Sequence, residues 1–108
     1  MLTEKDYCDK ETSDELEELG FPIRRIKVKG TEKNVPISLY EAQKWLREEK
    51  NIIVEVFVDD DSDTPITYNI YKDRECVCHH HGKYWSVEEW SEALSEGVKC
   101  AVKILKEK

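Results

Sequence analysis

The stretch Val35–Val58, VPISLYEAQKWLREEKNIIVEVFV, decides the fold. It joins a well-marked helix directly to the most apolar strand in the chain. Ser38 is a good N-cap, because its hydroxyl can accept from a backbone N–H orphaned in the first helical turn. Glu41, three residues on, completes a capping box. Leu39, Ala42, Trp45, Leu46 and Glu49 recur at three- and four-residue steps, which gives one largely apolar face. Gln43, Lys44, Arg47, Glu48 and Lys50 fall mostly on the wet side. Asn51 suits the left-handed residue that ends a helix. In the strand that follows, Ile52, Val54, Val56 and Val58 share one face. Ile53, Glu55, Phe57 and Asp59 share the other, which is mixed. One face should lie on a core and the other be partly wet, as in an antiparallel sheet.

Working outward, the N-terminal side reads as a loosely docked segment (1–11) followed by a short helix. Thr12 and Glu15 form a capping-box pattern and Leu16 and Leu19 an apolar side. Gly20 is placed to stop this helix, and Phe21 to fold back on Leu16. Residues 23–29, IRRIKVK, read as a short edge strand guarded by lysines, with 30–34 as a turn. On the C-terminal side, 59–65 (DDDSDTP) is a polar turn. Ile66–Lys72 is a second strand that can pair with the first as a hairpin. Asp73–Arg74 then turns the chain into a third strand near Glu75–His79. Ser86 and Glu89 make another capping box, with Trp85 and Trp90 at its staple positions. The helix they open, Val87 to about Lys106, carries Val87, Trp90, Leu94, Val98, Ala101, Val102 and Leu105 on one side. Gly97 also sits on that side and predicts close packing on the sheet. The order predicts an α+β domain: a three-stranded antiparallel sheet with helices on one face, preceded by a short helix and edge strand. One domain over 1–108 is expected, with 35–108 as its α-β-β-β-α core.

Of the 108 residues 38% are charged, and the formal net charge is −7. An acidic protein of this kind repels nucleic acid and membrane surfaces, and no apolar run approaches the roughly 20 residues of a membrane span. The N-terminus, MLTEKDYCDKE, lacks the apolar core of a secretory signal, so a cytoplasmic location is expected. Cys8, Cys76, Cys78 and Cys100 then read as reduced thiols.

Three clusters look chemical. Cys76, Cys78, His79, His80 and His81 are zinc-ligand types, but neighbours on a strand point to opposite faces, so they cannot all converge. Cys76 and Cys78 share a parity, and with His80 would still need a fourth ligand. Small thiols beside a solvated histidine turn are the simpler reading, and no metal or cofactor is expected. Asp59, Asp61 and Asp63 imitate the start of a calcium loop, but Thr64 replaces its glycine and Ile70 its closing glutamate. The basic strip Arg24, Arg25, Lys27, Lys29 and Lys33 could meet phosphate, although a charged strand edge explains it as well. With no glycine-rich phosphate loop, nucleophile elbow or HExxH, an enzyme is not expected.

The α-β-β-β-α order resembles the double-stranded-RNA-binding domain in topology. That family holds phosphates with lysines at the start of its last helix, where this chain has Ser86, Val87, Glu88 and Glu89. A second likeness runs over most of the chain. ETSDELEELGF (11–21), AQKWLREEKNI (42–52) and YWSVEEWSEALSEGVKCAVKIL (84–105) resemble a family of small phage, prophage and mobile-element proteins of gut Bacteroidetes, with Trp45-Leu46-Arg47-Glu48 the most specific part. Glu49-Lys50 and Trp90 depart from its pattern, and no catalytic residue carries over. The resemblance implies a phage accessory protein acting in a bacterial host cytoplasm.

The function expected is therefore a non-enzymatic protein-interaction module for a host or phage protein. Its contact surface would be the open sheet face, with Ile53, Phe57 and Tyr71. A homodimer through the sheet's face or edge is a further option. The alternatives are an acidic nucleic-acid mimic that inhibits a host defence protein, drawing on the N-terminal acids and Asp59–Asp63, and weak nucleic-acid binding through the 24–33 strip.

Overall fold

The computed structural model describes residues 2–58, 66–79 and 87–107. Helix α1 spans Lys10–Glu18, strands β1 and β2 Arg25–Val28 and Thr31–Asn34, and helix α2 Leu39–Lys50. Strands β3, β4 and β5 follow at Ile52–Val58, Ile66–Lys72 and Glu75–His79, and helix α3 at Trp90–Lys106. The fold is α+β, with an antiparallel sheet in the order β3-β4-β5.

The deciding stretch folds as its chemistry requires. Ser38 Oγ accepts the Glu41 N–H at 3.0 Å. Glu41's carboxylate does not return to the cap; Arg24 Nη2 holds it at 2.6 Å. Asn51 closes α2 in the left-handed conformation, with φ 53°. Its side-chain amide donates to Asp73 at 2.9 Å, and its carbonyl accepts the Asp73 N–H. The end of α2 is thereby tied to the β4–β5 turn. Gln43 Nε2 donates to the Val54 carbonyl at 2.7 Å, which covers part of the outer edge of β3.

β3 and β4 pair along their whole length, with Val54 opposite Ile70 and Val56 opposite Tyr68. Ile52, Val54, Ile66, Tyr68 and Ile70 are buried beneath the helices, with Leu39, Ala42 and Leu46 from α2 and Ala93, Leu94, Val98, Ala101 and Val102 from α3. At about 25 cal/mol per Å² of apolar surface, this two-layer seal is the main stabilising contribution. Trp45 is only half-buried; its ring meets Phe21 edge-on at 5.4 Å, and Lys50 Nζ lies 5.5 Å from its centroid. Gly97 packs on the sheet as its position predicted. A Cβ built there would stand 2.6 Å from Val54 Cγ1 and 3.4 Å from Tyr68 Cδ1.

Several readings need correction. Residues 23–29 do not edge the main sheet. β1 pairs with β2 in a separate two-stranded hairpin, and the turn expected over 30–34 shrinks to Lys29 and Gly30, both at positive φ. TEKN has no apolar alternation, so only the turn between the strands could have announced it. Within the segment expected to be loose, residues 4–8 are docked. Glu4–Asp6 form a 3-10 turn, Asp6 accepts from Ser91 of α3, and the Cys8 N–H donates to the Ile37 carbonyl at 2.8 Å. α1 begins at Lys10 and is capped by Asp9, whose carboxylate accepts the Thr12 N–H at 2.8 Å. Thr12 is therefore inside the helix and not its cap. Phe21 does fold back, its N–H donating to the Leu16 carbonyl at 2.9 Å. α3 starts at Trp90 after a 3-10 turn at Val87–Glu89, three residues later than the pattern suggested. Ser86, Trp85 and the 59–65 turn, with Asp59, Asp61 and Asp63, lie outside the described residues.

Candidate interaction surface

The reverse face of the sheet is set by register. Ile53 stands opposite Tyr71, Glu55 opposite Asn69, and Phe57 opposite Thr67. Ile53 is 41% exposed, while Phe57 and Tyr71 are half-buried. The patch is not uniformly open, because Thr67 on the same parity is fully buried and its hydroxyl has no hydrogen-bond partner.

β5 adds what the alternation rule could not predict. The register slips between Ile70 and Tyr71: Tyr71 faces Cys76, yet Ile70 faces Cys78. A β-bulge inserts Val77, so Cys76 and Val77 together oppose Tyr71. Val77 is 46% exposed and extends the apolar patch beside Tyr71. The same bulge sends Cys76 to the reverse face and Cys78 to the core face. The two thiols therefore do not share a side, which removes the shared-parity basis for a Cys76, Cys78 and His80 site. His80 and His81 lie outside the described residues. Among the described residues no group of three or more metal-ligating side chains converges.

Cys78 instead meets Cys100 of α3, with the sulfurs 3.6 Å apart. Tyr68 shares this spot through a hydrogen bond with Cys100, and burial pushes the phenol well up. Burial first, then the hydrogen bond with Cys78, pushes the Cys100 thiol up to about 11. Cys8 sits apart, between the N-terminal segment and α3. Burial and then the Asp9 and Glu41 carboxylates push its thiol up to about 12. That is the profile of an inert thiol and not of a nucleophile.

The basic strip divides. Arg24 is paired with Glu41, whereas Arg25, Lys27, Lys29 and Lys33 ride the β1–β2 hairpin, exposed throughout. The hairpin packs on itself and little else, and leaves Ile26 and Val28 exposed.

The acids of the N-terminal region are largely tied to bases or hydroxyls. Lys99 reaches Asp9 at 2.9 Å, Lys106 reaches Glu18 at 3.4 Å and Glu15 at 3.6 Å, and Lys10 reaches Asp14 at 3.1 Å. Glu15, Lys99 and Lys106 line a cleft of about 390 Å³ between α1 and α3. Hydrogen bonds from Lys99 and then Thr12 hold Asp9 down at about 2, and the carboxylates push Lys99 and Lys106 up. Asp9 and Lys99 both move away from neutrality, the reverse of what acid–base catalysis needs, so this pair is a strut between helices.

No described helix is long and apolar enough to cross a membrane. Compared with protein-family models, with curated proteins and with solved structures, the chain matches none.

Proposed function

We propose that this chain is a non-enzymatic protein-interaction module that engages a host or phage protein through the open face of its sheet. One observation carries the reading: Ile53 and Val77, both more than two-fifths exposed, flank Tyr71 on a face that the helices leave uncovered. Exposed apolar residues grouped on one face of a small domain mark contact surfaces more often than scattered ones do. The sequence likeness to phage and prophage proteins supports a phage accessory role in a bacterial cytoplasm. The test is affinity capture from a lysogenic or infected host, with wild type and an Ile53→Lys/Val77→Lys variant compared. The wild type should retain a defined protein that the variant loses at unchanged thermal stability. An identical protein set on both would refute the reading.

A second reading has one feature in its favour. The hairpin carries four exposed bases, Arg25, Lys27, Lys29 and Lys33, against the single acid Glu32. Phosphate contact through this arm predicts a gel shift that weakens steeply with salt; no shift at low salt would exclude it.

A further inference from the structure

The β5 bulge has a chemical result. Regular alternation would put Cys76 and Cys78 on one face; the inserted Val77 turns Cys78 towards α3 instead. There it lies 3.6 Å from Cys100, sulfur to sulfur, and neither residue is fully buried. The other two thiols stand elsewhere, Cys76 on the opposite face and Cys8 in the cleft beside Lys99. Cys78 and Cys100 come from different elements, 22 residues apart in sequence. The separation closes to a bond of about 2.0 Å with a shift of about 1.6 Å, within the reach of side-chain rotation and a small movement of the bulged strand.

We propose that Cys78 and Cys100 form an oxidisable dithiol, which a low-molecular-weight disulfide converts to a cystine joining β5 to α3. In the first step the Cys78 sulfur, its proton lost to water, attacks one sulfur of the small disulfide. A mixed disulfide forms and one small thiolate leaves, to be protonated. In the second step the Cys100 sulfur, deprotonated in turn, attacks the Cys78 sulfur of that mixed disulfide and expels the second small thiol. Two protein thiols are oxidised and one small disulfide is reduced to two thiols. The assignment of the first attack to Cys78 agrees with the raised position of Cys100, which makes it a poor opening nucleophile. Closed this way, the bond fixes the strand that carries Val77 and faces Tyr71.

The test uses the full chain, reduced and then incubated with oxidised glutathione. The expected product weighs about 2 Da less than the reduced protein, and peptide mapping joins residues 78 and 100. Dithiothreitol reverses it, and Cys76→Ser gives the same product. Closing a loop of this length should raise the melting temperature by roughly 10 °C. A glutathione adduct that persists without closing, a cross-link through Cys8 or Cys76, or four thiols still alkylatable after incubation would each overturn the proposal.

Discussion

Gly97 is the residue at which one methyl group matters most. Alanine would gain about 1 kcal/mol of helix propensity over glycine. Its Cβ, however, would press on Val54 at 2.6 Å, in a layer already filled. The overpacking, about 1–3 kcal/mol, outweighs that gain, so Gly97→Ala is expected to cost up to about 2 kcal/mol net, read from the urea midpoint. Thr67 is the opposite case. Its hydroxyl is buried with no partner, so Thr67→Val keeps the shape, removes the unmet polar group and should hold or raise stability by up to about 1 kcal/mol. Arg74 sits at φ 73° in the two-residue turn between Lys72 and Glu75. Arg74→Gly relieves that left-handed position and should stabilise by about 0.5–1 kcal/mol in the same measurement. The single-residue signals in the sequence were mostly good. The Ser38 cap, the left-handed Asn51 and the packed Gly97 each follow from a chemistry that few other residues can supply. Asp9 was obscured because Thr12 offers a competing cap pattern three residues later, and only the surrounding packing decides between them.

At the scale of elements, α1 is fastened to α3 by charge. Asp9 caps α1 and pairs with Lys99, and its carboxyl is held at about 2 against an ordinary 3.8. The folded state thus binds this proton less tightly than the unfolded chain does. The associated stability is complete above about pH 4 and is lost as the pH falls through about 2. Asp9→Asn keeps a capping oxygen but loses the charge. Its melting temperature should therefore fall less steeply between pH 4 and 2 than that of the wild type. The helices and the β3–β4 pair were legible because their periods are clean. β2 was not, because Thr31–Asn34 is polar and earns its strand only by hydrogen bonding to β1 across the Lys29–Gly30 turn. The bulge in β5 was also hidden: ECVCH reads as plain alternation, and the slip appears only when the strand is laid against β4. With it went the expectation that Cys76 and Cys78 face the same way.

For the molecule as a whole, a two-layer arrangement leaves the sheet's two faces with different tasks. One is sealed by α2 and α3, and the other keeps Ile53, Tyr71 and Val77 within reach of solvent. Ile53, Phe57 and Tyr71 could be nominated from parity alone. Val77 could not, since its placement depends on the bulge, and the docking of the Glu4–Asp6 turn draws on Ser91, 85 positions away from Asp6. α3, one of the two sealing helices, also follows in the chain the sheet that it covers. While the ribosome is still adding α3, the row Ile52, Val54, Ile66, Tyr68 and Ile70 lacks the cover of Ala93, Leu94, Val98, Ala101 and Val102. The nascent chain thus passes through an interval in which a sticky sheet is half roofed, and its safe passage depends on how soon the closing helix emerges.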